Sequence, residues 1–531
     1  MERILFFILI LLIAGAKAQI TAPGFPASSL EKKIVRTPVI IITPPAQTNQ
    51  KEGIKQPLLA AIILDTDINY MQQAHLTVLE NGDKIYRLAI TSKDAKALNV
   101  LYDDFNIPEG GKLFIYDPSK TQLHGAYTSI NNSINKNFTH DYITGDQLVI
   151  EYNEPANVTE TKIHINQIGY FLRDGEETSL SAECEVNINC PEGDNWQDEK
   201  KGVVRLLIKN GNQIFWCSGS LVNNTGLDCA PYVLSAEHCT NGTNQQDNDA
   251  SIVYFGYECS SCAGTSGDAT KTMVGFNIVA KATGSDFILL RLKTEIPDNY
   301  EPYFNGWKKD DATFGSGVSI HHPDSDVKKI STYSTNLFST SIPLGITNGY
   351  WGVIWSSTSN GHGITEGGSS GSPIFNKDGL IIGTLTGGNS FCSTPTETDY
   401  YGKLSAHWDQ NGSIPSKRLL DFLDPSGAGS SELKGTYKPC TNSVSELTFD
   451  EIKVWPNPSS TMLNIKIEHT NFIKPTIILN DLMGKVIFKQ QLSTSNNFLI
   501  KIPTSKFSNG NYILSISTPS ISTHQSIIIA R

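Results

Sequence analysis

The sequence predicts an all-β chain of successive domains, and three observations carry that prediction. Short segments such as Leu113-Phe114-Ile115-Tyr116, Gln147-Leu148-Val149-Ile150-Glu151-Tyr152 and Lys162-Ile163-His164-Ile165 lie between Gly, Asn and Pro turns, as half-buried strands do. Eight of the nine cysteines fall between Cys184 and Cys392, which sets a central region apart. A further strand pattern begins near residue 444 after a change of composition. One short helical pattern, 417–423, interrupts this reading. At 531 residues the chain is too long for a single ordinary core, so about three domains are expected.

Taken in order, residues 1–18 read as a secretory signal: Arg3 precedes the apolar run 4–14, and Ala16-Lys17-Ala18 is a small-x-small cleavage site. That run is too short to anchor the mature protein, and no later stretch approaches transmembrane length. Export suits a cysteine-rich central region, where disulfides are expected. Residues 19–60 are rich in Pro, Thr, Lys and Gln and read as a tether, while 62–170 are strand-like and lack cysteine. Together 19–173 form an N-terminal β-rich region. Residues 174–183 read as an exposed joint, and Arg173 is the only Lys or Arg between Lys162 and Lys200, which makes it a candidate processing site. The central domain is placed at 174–440 and a small all-β module at 444–531.

Composition narrows the partners. Acidic residues outnumber basic ones 53 to 42, which argues against nucleic acid. Cys259 and Cys262 form a lone C-x-x-C without nearby histidines, and His321-His322 with Asp324 and Asp326 lacks regular ligand spacing, so neither a metal nor another cofactor is expected.

The chemistry is concentrated in three segments. Gly368-Ser369-Ser370-Gly371-Ser372-Pro373 sets a serine among small, turn-permissive residues, as a nucleophile needs when amides beside it must face an oxyanion. Leu234-Ser235-Ala236-Glu237-His238-Cys239 offers a histidine after an apolar strand, and Ser285-Asp286-Phe287-Ile288-Leu289-Leu290 an aspartate at a strand mouth. The order His, Asp, Ser is that of the chymotrypsin-like double barrel; α/β-hydrolases run Ser, Asp, His and subtilisins Asp, His, Ser. The hydrolase elbow also requires glycine where Ser372 stands, and the subtilisin decoy Leu64-Asp65-Thr66-Asp67 has no matching partners. Ser370 is thus the candidate nucleophile, His238 its base, Asp286 the group orienting the imidazole, and the Gly368 and Ser370 amides the oxyanion hole.

Further motifs extend this pattern: Cys190-Pro191-Glu192-Gly193-Asp194, Gly219-Ser220-Leu221-Val222-Asn223-Asn224, Ile320-His321-His322-Pro323 and Asp399-Tyr400-Tyr401-Gly402. With the three catalytic segments they resemble the lysyl endopeptidase branch of the trypsin-like serine proteases, over nearly all of 184–440. The resemblance implies a secreted serine endopeptidase that cleaves after lysine through an acyl-enzyme. It places Asp399 at the base of the S1 pocket, where a carboxylate pairs with the substrate ammonium, and gives Thr386, Gly387 and Gly388 to the substrate backbone. It treats His-His-Pro as scaffold and likens the N-terminal region to a propeptide. It implies disulfides Cys184–Cys392, Cys190–Cys262 and Cys217–Cys239; Cys229 and Cys259 remain as an extra candidate pair by elimination, with Cys440 left over. Family members carry tryptophan where Ile342 falls and histidine where Thr386 falls, which leaves arginine open beside lysine. The trypsin-type activation switch needs an aspartate where Ser369 stands, so residues 19–173 are instead expected to fold as an inhibitory or folding-assisting prodomain, removed by cleavage. An arginine-preferring protease and an inactive surface adhesin on the same fold are the alternatives.

The tail carries Val454-Trp455-Pro456-Asn457-Pro458, Asp481-Leu482-Met483-Gly484-Lys485 and Asn509-Gly510-Asn511-Tyr512-Ile513-Leu514. It resembles the type A C-terminal sorting domain of the type IX secretion system. That resemblance implies a β-sandwich, passage across a bacterial outer membrane, and release or display at the cell surface. The expected partners are peptide substrates and the secretion machinery, and a monomer is expected.

Overall fold

The computed structural model describes residues 22–29, 37–46, 57–158, 160–173, 181–311, 314–438, 440, 452–472, 476–481, 486–491, 495–517 and 522–531. The signal expected at 1–18, most of the joint expected at 174–183, and four residues of the 481–485 turn lie outside them. The chain divides into two compact units, Met1–Lys438 and Pro439–Arg531. Among the described residues no helix is long and apolar enough to cross a membrane.

The N-terminal region packs two sheets face to face. Lys84–Thr91, Lys112–Tyr116 and Gln147–Glu154 form the centre of one; Leu58–Asn69, Ala97–Asn106 and Lys162–Phe171 belong to the other. Alternate side chains meet between them, as period two requires: Leu88 and Ile90, Leu148 and Ile150 against Leu98 and Val100. The tether expected over 19–60 is partly strand instead. Val39–Ile41 pairs in parallel with Lys84–Thr91, and Leu58–Asn69 starts inside that range. Its Pro, Thr and Lys content hid the two apolar runs.

The first barrel of the central domain uses seven strands, from Val203–Asn210 to Phe287–Leu292. Pairing runs round the ring from Thr272–Val274 through Ile252–Phe255, Val203–Asn210, Gln213–Leu221, Tyr232–Ser235 and Phe287–Leu292 to Phe276–Ala282. Gly275 closes it: its φ of +78° turns the chain between the first and last of these strands, where a side chain would be strained. Val204, Leu206, Val253, Phe255, Ile288 and Leu290 fill the interior.

The second barrel pairs Gly317–His321 with both Lys329–Tyr333 and Pro373–Asn376, then continues through Leu380–Gly388 and Asp399–Lys403 to Tyr350–Val353. The Ser356 amide returns to the Thr332 carbonyl at 2.8 Å, joining the two ends. Trp351, Val353, Ile374, Ile382 and Leu385 pack inside. The helical pattern at 417–423 reduces to the single turn Leu420–Leu423 after a short 3₁₀ turn.

The second unit is built of a three-stranded and a four-stranded sheet. Leu463, Ile465, Ile500 and Ile502 from one meet Ile477, Leu479, Leu514 and Ile527 from the other, again at alternate positions.

Candidate active site

His238 stands where a buried strand runs out. Tyr232–Ser235 ends in Ala236, and Glu237–Thr240 makes a single 3₁₀ turn that Cys239 ties to Cys217 by a disulfide. Asp286 accepts two hydrogen bonds from this residue: the His238 amide donates to Oδ1 at 3.0 Å, and Nδ1 lies 2.8 Å from Oδ2. Both the position and the ring plane of the imidazole are thereby set, and Nδ1–H donating to the carboxylate leaves Nε2 as acceptor. Nε2 is buried and has no hydrogen-bond partner among the described residues. Burial works to lower the His238 pKa, but the Asp286 charge and hydrogen bond, helped by Glu237, outweigh it and hold the value above the ordinary one.

Asp286 itself sits at φ +58°, in the left-handed region, just before Phe287–Leu292. Aspartate tolerates that conformation better than most residues, and such backbone outliers gather at functional sites. Behind it, Ser285 Oγ lies 2.8 Å from His407 Nδ1, and His407 Nε2 lies 3.0 Å from Thr384 Oγ1. Burial drives the His407 pKa down to about 3, so this ring is neutral and serves as a fixed prop.

The serine segment is held from the first barrel. The Ser218 amide donates to the Ser370 carbonyl at 2.8 Å, and Ser218 Oγ to the Gly368 carbonyl at 2.9 Å. Cys239 Sγ lies 3.8 Å from the Ser370 carbonyl oxygen, so the residue next to His238 touches the serine. Gly371, at φ +81°, could not be replaced: a Cβ there would lie 2.0 Å from Ser235 Oγ and 2.6 Å from the Ser218 carbonyl. His238 and Asp286 line one cleft; Ser370 is not in that lining but adjoins it through its carbonyl, next to Cys239. The Ser370 hydroxyl makes no hydrogen bond to Nε2. Among the described residues, neither the Gly368 nor the Ser370 amide donates to a protein acceptor, so both remain available to an oxyanion.

Sequence reasoning missed the support beneath this loop. His321 is fully buried, with Nδ1 2.8 Å from Ser369 Oγ and Nε2 3.0 Å from Ser331 Oγ. Ser369 thereby faces a histidine at the place where a trypsin-type switch would need an aspartate. The His-His-Pro motif was visible, but its placement beside a loop 48 residues later was not. The Asp324 amide donates to the Gly367 carbonyl at 2.7 Å, and the Asp324 carboxylate pairs with Arg173 at 2.5 Å. Arg173, the candidate processing site, is therefore engaged in an ion pair.

Asp399 is completely buried. Oδ2 accepts from Trp355 Nε1 at 2.8 Å, Thr365 Oγ1 at 2.7 Å and Ser390 Oγ at 2.7 Å, while the Ser390 amide donates to Oδ1 at 3.1 Å. These hydrogen bonds fix the carboxylate. It opens Asp399–Lys403, opposite Gly388, where a Cβ would come within 2.1 Å of Oδ1. Thr386 and Ile342 line a cleft with His238 and Asp286, joined by Pro57 and Phe215, and Asp399 is outside that lining. Gly387 follows Thr386 at an irregularity in the pairing of Leu380–Gly388.

Three disulfides, Cys184–Cys392, Cys190–Cys262 and Cys217–Cys239, brace the central domain. The extra pair Cys229–Cys259 is not formed. Cys259 is a free, buried thiol, while Cys229 and Cys440 are each disulfide-bonded. Elimination failed because it treated Cys440 as a leftover.

Residues 178–402 match the family model described as the lysyl endopeptidase C-terminal domain, and 453–530 that of the secretion system C-terminal sorting domain. Similar solved structures include the thermostable serine protease AL20 from an extremophilic microorganism, 14% identical over 39% of this chain and 92% of that one, with a TM-score of 0.27. Protease Anisep from Arthrobacter nicotinovorans is 16% identical over 39% and 91%, with a TM-score of 0.29. A Glu endopeptidase is 15% identical over 38% and 85%, with a TM-score of 0.25.

The match over 178–402, on a mostly β fold, makes the chain a serine endopeptidase. Its central segment is similar to the lysyl endopeptidase domain over 178–402, and its tail matches the secretion sorting domain, which indicates a surface or secreted location.

Proposed function

We propose that this secreted protease hydrolyses peptide bonds on the carboxyl side of lysine, and of arginine in second place. Ser370 attacks the scissile carbonyl while His238 Nε2 takes its proton; the imidazolium, stabilised by Asp286, then protonates the leaving amine. The Gly368 and Ser370 amides receive the oxyanion, and water releases the acyl-enzyme by the same steps in reverse order of roles. The two-point hydrogen bond between His238 and Asp286 carries this reading, because it fixes one tautomer and leaves Nε2 as the acceptor.

Basic specificity rests on Asp399, whose buried carboxylate an uncharged P1 residue would leave without an ammonium to meet. Arginine enters as second substrate because Ile342 and Thr386 provide neither ring of the stacked pair found in family members. Residues 19–173 are proposed to be a prodomain, 174–440 the protease and 444–531 the sorting module. Hydrolysis of matched Lys-, Arg- and Leu-containing peptides, with Ser370→Ala as control, tests both halves. Activity surviving in Ser370→Ala would remove the nucleophile, and equal rates on Lys and Leu peptides would remove the specificity.

A further inference from the structure

The strand Leu58–Asn69 does more than complete its own domain. One edge pairs with Lys162–Phe171, and the other pairs antiparallel with the first barrel, Gln213 opposite Ile62 and Trp216 opposite Leu58. The Ile63 amide adds a bond of 2.9 Å to the Asn212 carbonyl. One sheet of twelve strands therefore runs from the N-terminal region into the barrel.

This pairing ends at the candidate catalytic residues. Trp216 precedes Cys217, whose disulfide reaches Cys239 beside His238. Pro57, just ahead of the strand, lines the same cleft as His238 and Thr386. The N-terminal domain thus occupies strand-pairing groups and cleft wall next to the imidazole.

Two further contacts hold it there. Ala60, Ala61 and Tyr142 share one buried apolar cluster with Ile214, Trp216 and Tyr254 of the barrel. Arg205 is wholly buried at its border, its guanidinium 4.3 Å from the Trp216 ring, 4.5 Å from that of Tyr254 and 3.7 Å from that of Tyr257. Tyr254 in turn donates to Asp141 of the N-terminal domain at 2.5 Å, and Arg205 Nη1 donates to the Ser325 carbonyl at 2.7 Å. Removing the domain would expose an unpaired strand edge and a contiguous apolar patch at once.

None of these contacts depends on the covalent joint. We infer that the N-terminal domain stays docked on the first barrel after the chain is cut between Asp174 and Leu180, holding the cleft beside His238 closed, so that activity appears when the domain is displaced or digested. A cut removes only the effective concentration that the tether supplies. Docking stands on the interface alone; closure also rests on the reading of Ser370 as nucleophile.

The test uses the full chain, Ser370→Ala, with the recognition sequence of a site-specific protease replacing 174–180. After complete cutting, the two pieces are expected to co-elute in size-exclusion chromatography at micromolar concentration, and separate peaks would overturn docking. The same chain with Ser370 intact is then cut and treated with a fluorophosphonate. Labelling is expected to be roughly tenfold or more slower than after limited digestion of the N-terminal piece, as a mostly closed population requires. Ala60→Glu in the interface should restore fast labelling without digestion. Equal rates before and after digestion would overturn closure. Absence of labelling in every state would overturn the Ser370 reading and closure with it, while co-elution still decides docking.

Discussion

The Ser218 amide of the first barrel donates to the Ser370 carbonyl of the second across 2.8 Å. Ser218 follows Cys217, which is bonded to Cys239 next to His238, so one short segment positions both halves of the proposed proton transfer. The serine is held from the barrel that carries its base.

The His238–Asp286 pair predicts the pH dependence. Attack needs neutral His238, whose pKa lies above its ordinary value: burial opposes this, and Asp286 and Glu237 outweigh burial. The acid limb of kcat/KM should lie above the usual histidine range of about 6.5 and move down in Asp286→Asn, with kcat falling about 10⁴-fold. The charged pair should add stability in full below about 6.5 and lose it as pH rises through the raised pKa. Steady-state kinetics and thermal melts across pH 5–9 check both signs.

Asp399→Asn should cut kcat/KM on lysyl peptides by roughly 10³-fold while changing leucyl peptides by less than about tenfold. The asparagine oxygen can keep the three bonds made to Oδ2, while its amide nitrogen cannot accept from the Ser390 amide, so a melting temperature measured alongside separates a specificity effect from a folding defect. An equal loss on both substrates would count against a charge-reading role.

His321→Ala leaves the buried hydroxyls of Ser369 and Ser331 without the ring between them. Ser331 Oγ keeps its bond to the Ile364 carbonyl and Ser369 Oγ its bond from the Glu366 amide, so the loss in stability is expected at the lower end of about 1–3 kcal/mol. Because Ser369 adjoins the nucleophile, kcat should fall with KM little changed. His321→Gln, which keeps a donor and an acceptor, should recover part of the rate.

Replacing Cys217 and Cys239 with serine opens a link spanning 22 positions. Chain entropy alone puts the cost at about 3 kcal/mol, readable as a lower denaturant midpoint. Activity at low temperature should fall as well, since the turn bearing His238 loses its brace.

The hydrogen-bonded pairing of His238 with Asp286 agrees with their strand-end positions in the sequence. The alternating strands at 113–116 and 147–152 were legible, since burial on one face imposes period two. Contacts made at a distance were not. The pairing of Leu58 with Trp216, the prop from His321 to Ser369, and the bonded state of Cys440 depend on which surfaces meet in three dimensions. The left-handed backbone of Asp286 was hidden too, because aspartate is common in ordinary turns.

The crowding round Gly371 ties the performance of this enzyme to the seam between its halves. The glycine nests against Ser235 and Ser218 with no space for even a methyl group, so the working alignment has almost no slack. Gentle warming that lets the halves slide by a fraction of an ångström should silence turnover while both cores are still intact. Inactivation on heating should therefore precede the loss of the β signal in circular dichroism, and should reverse on cooling.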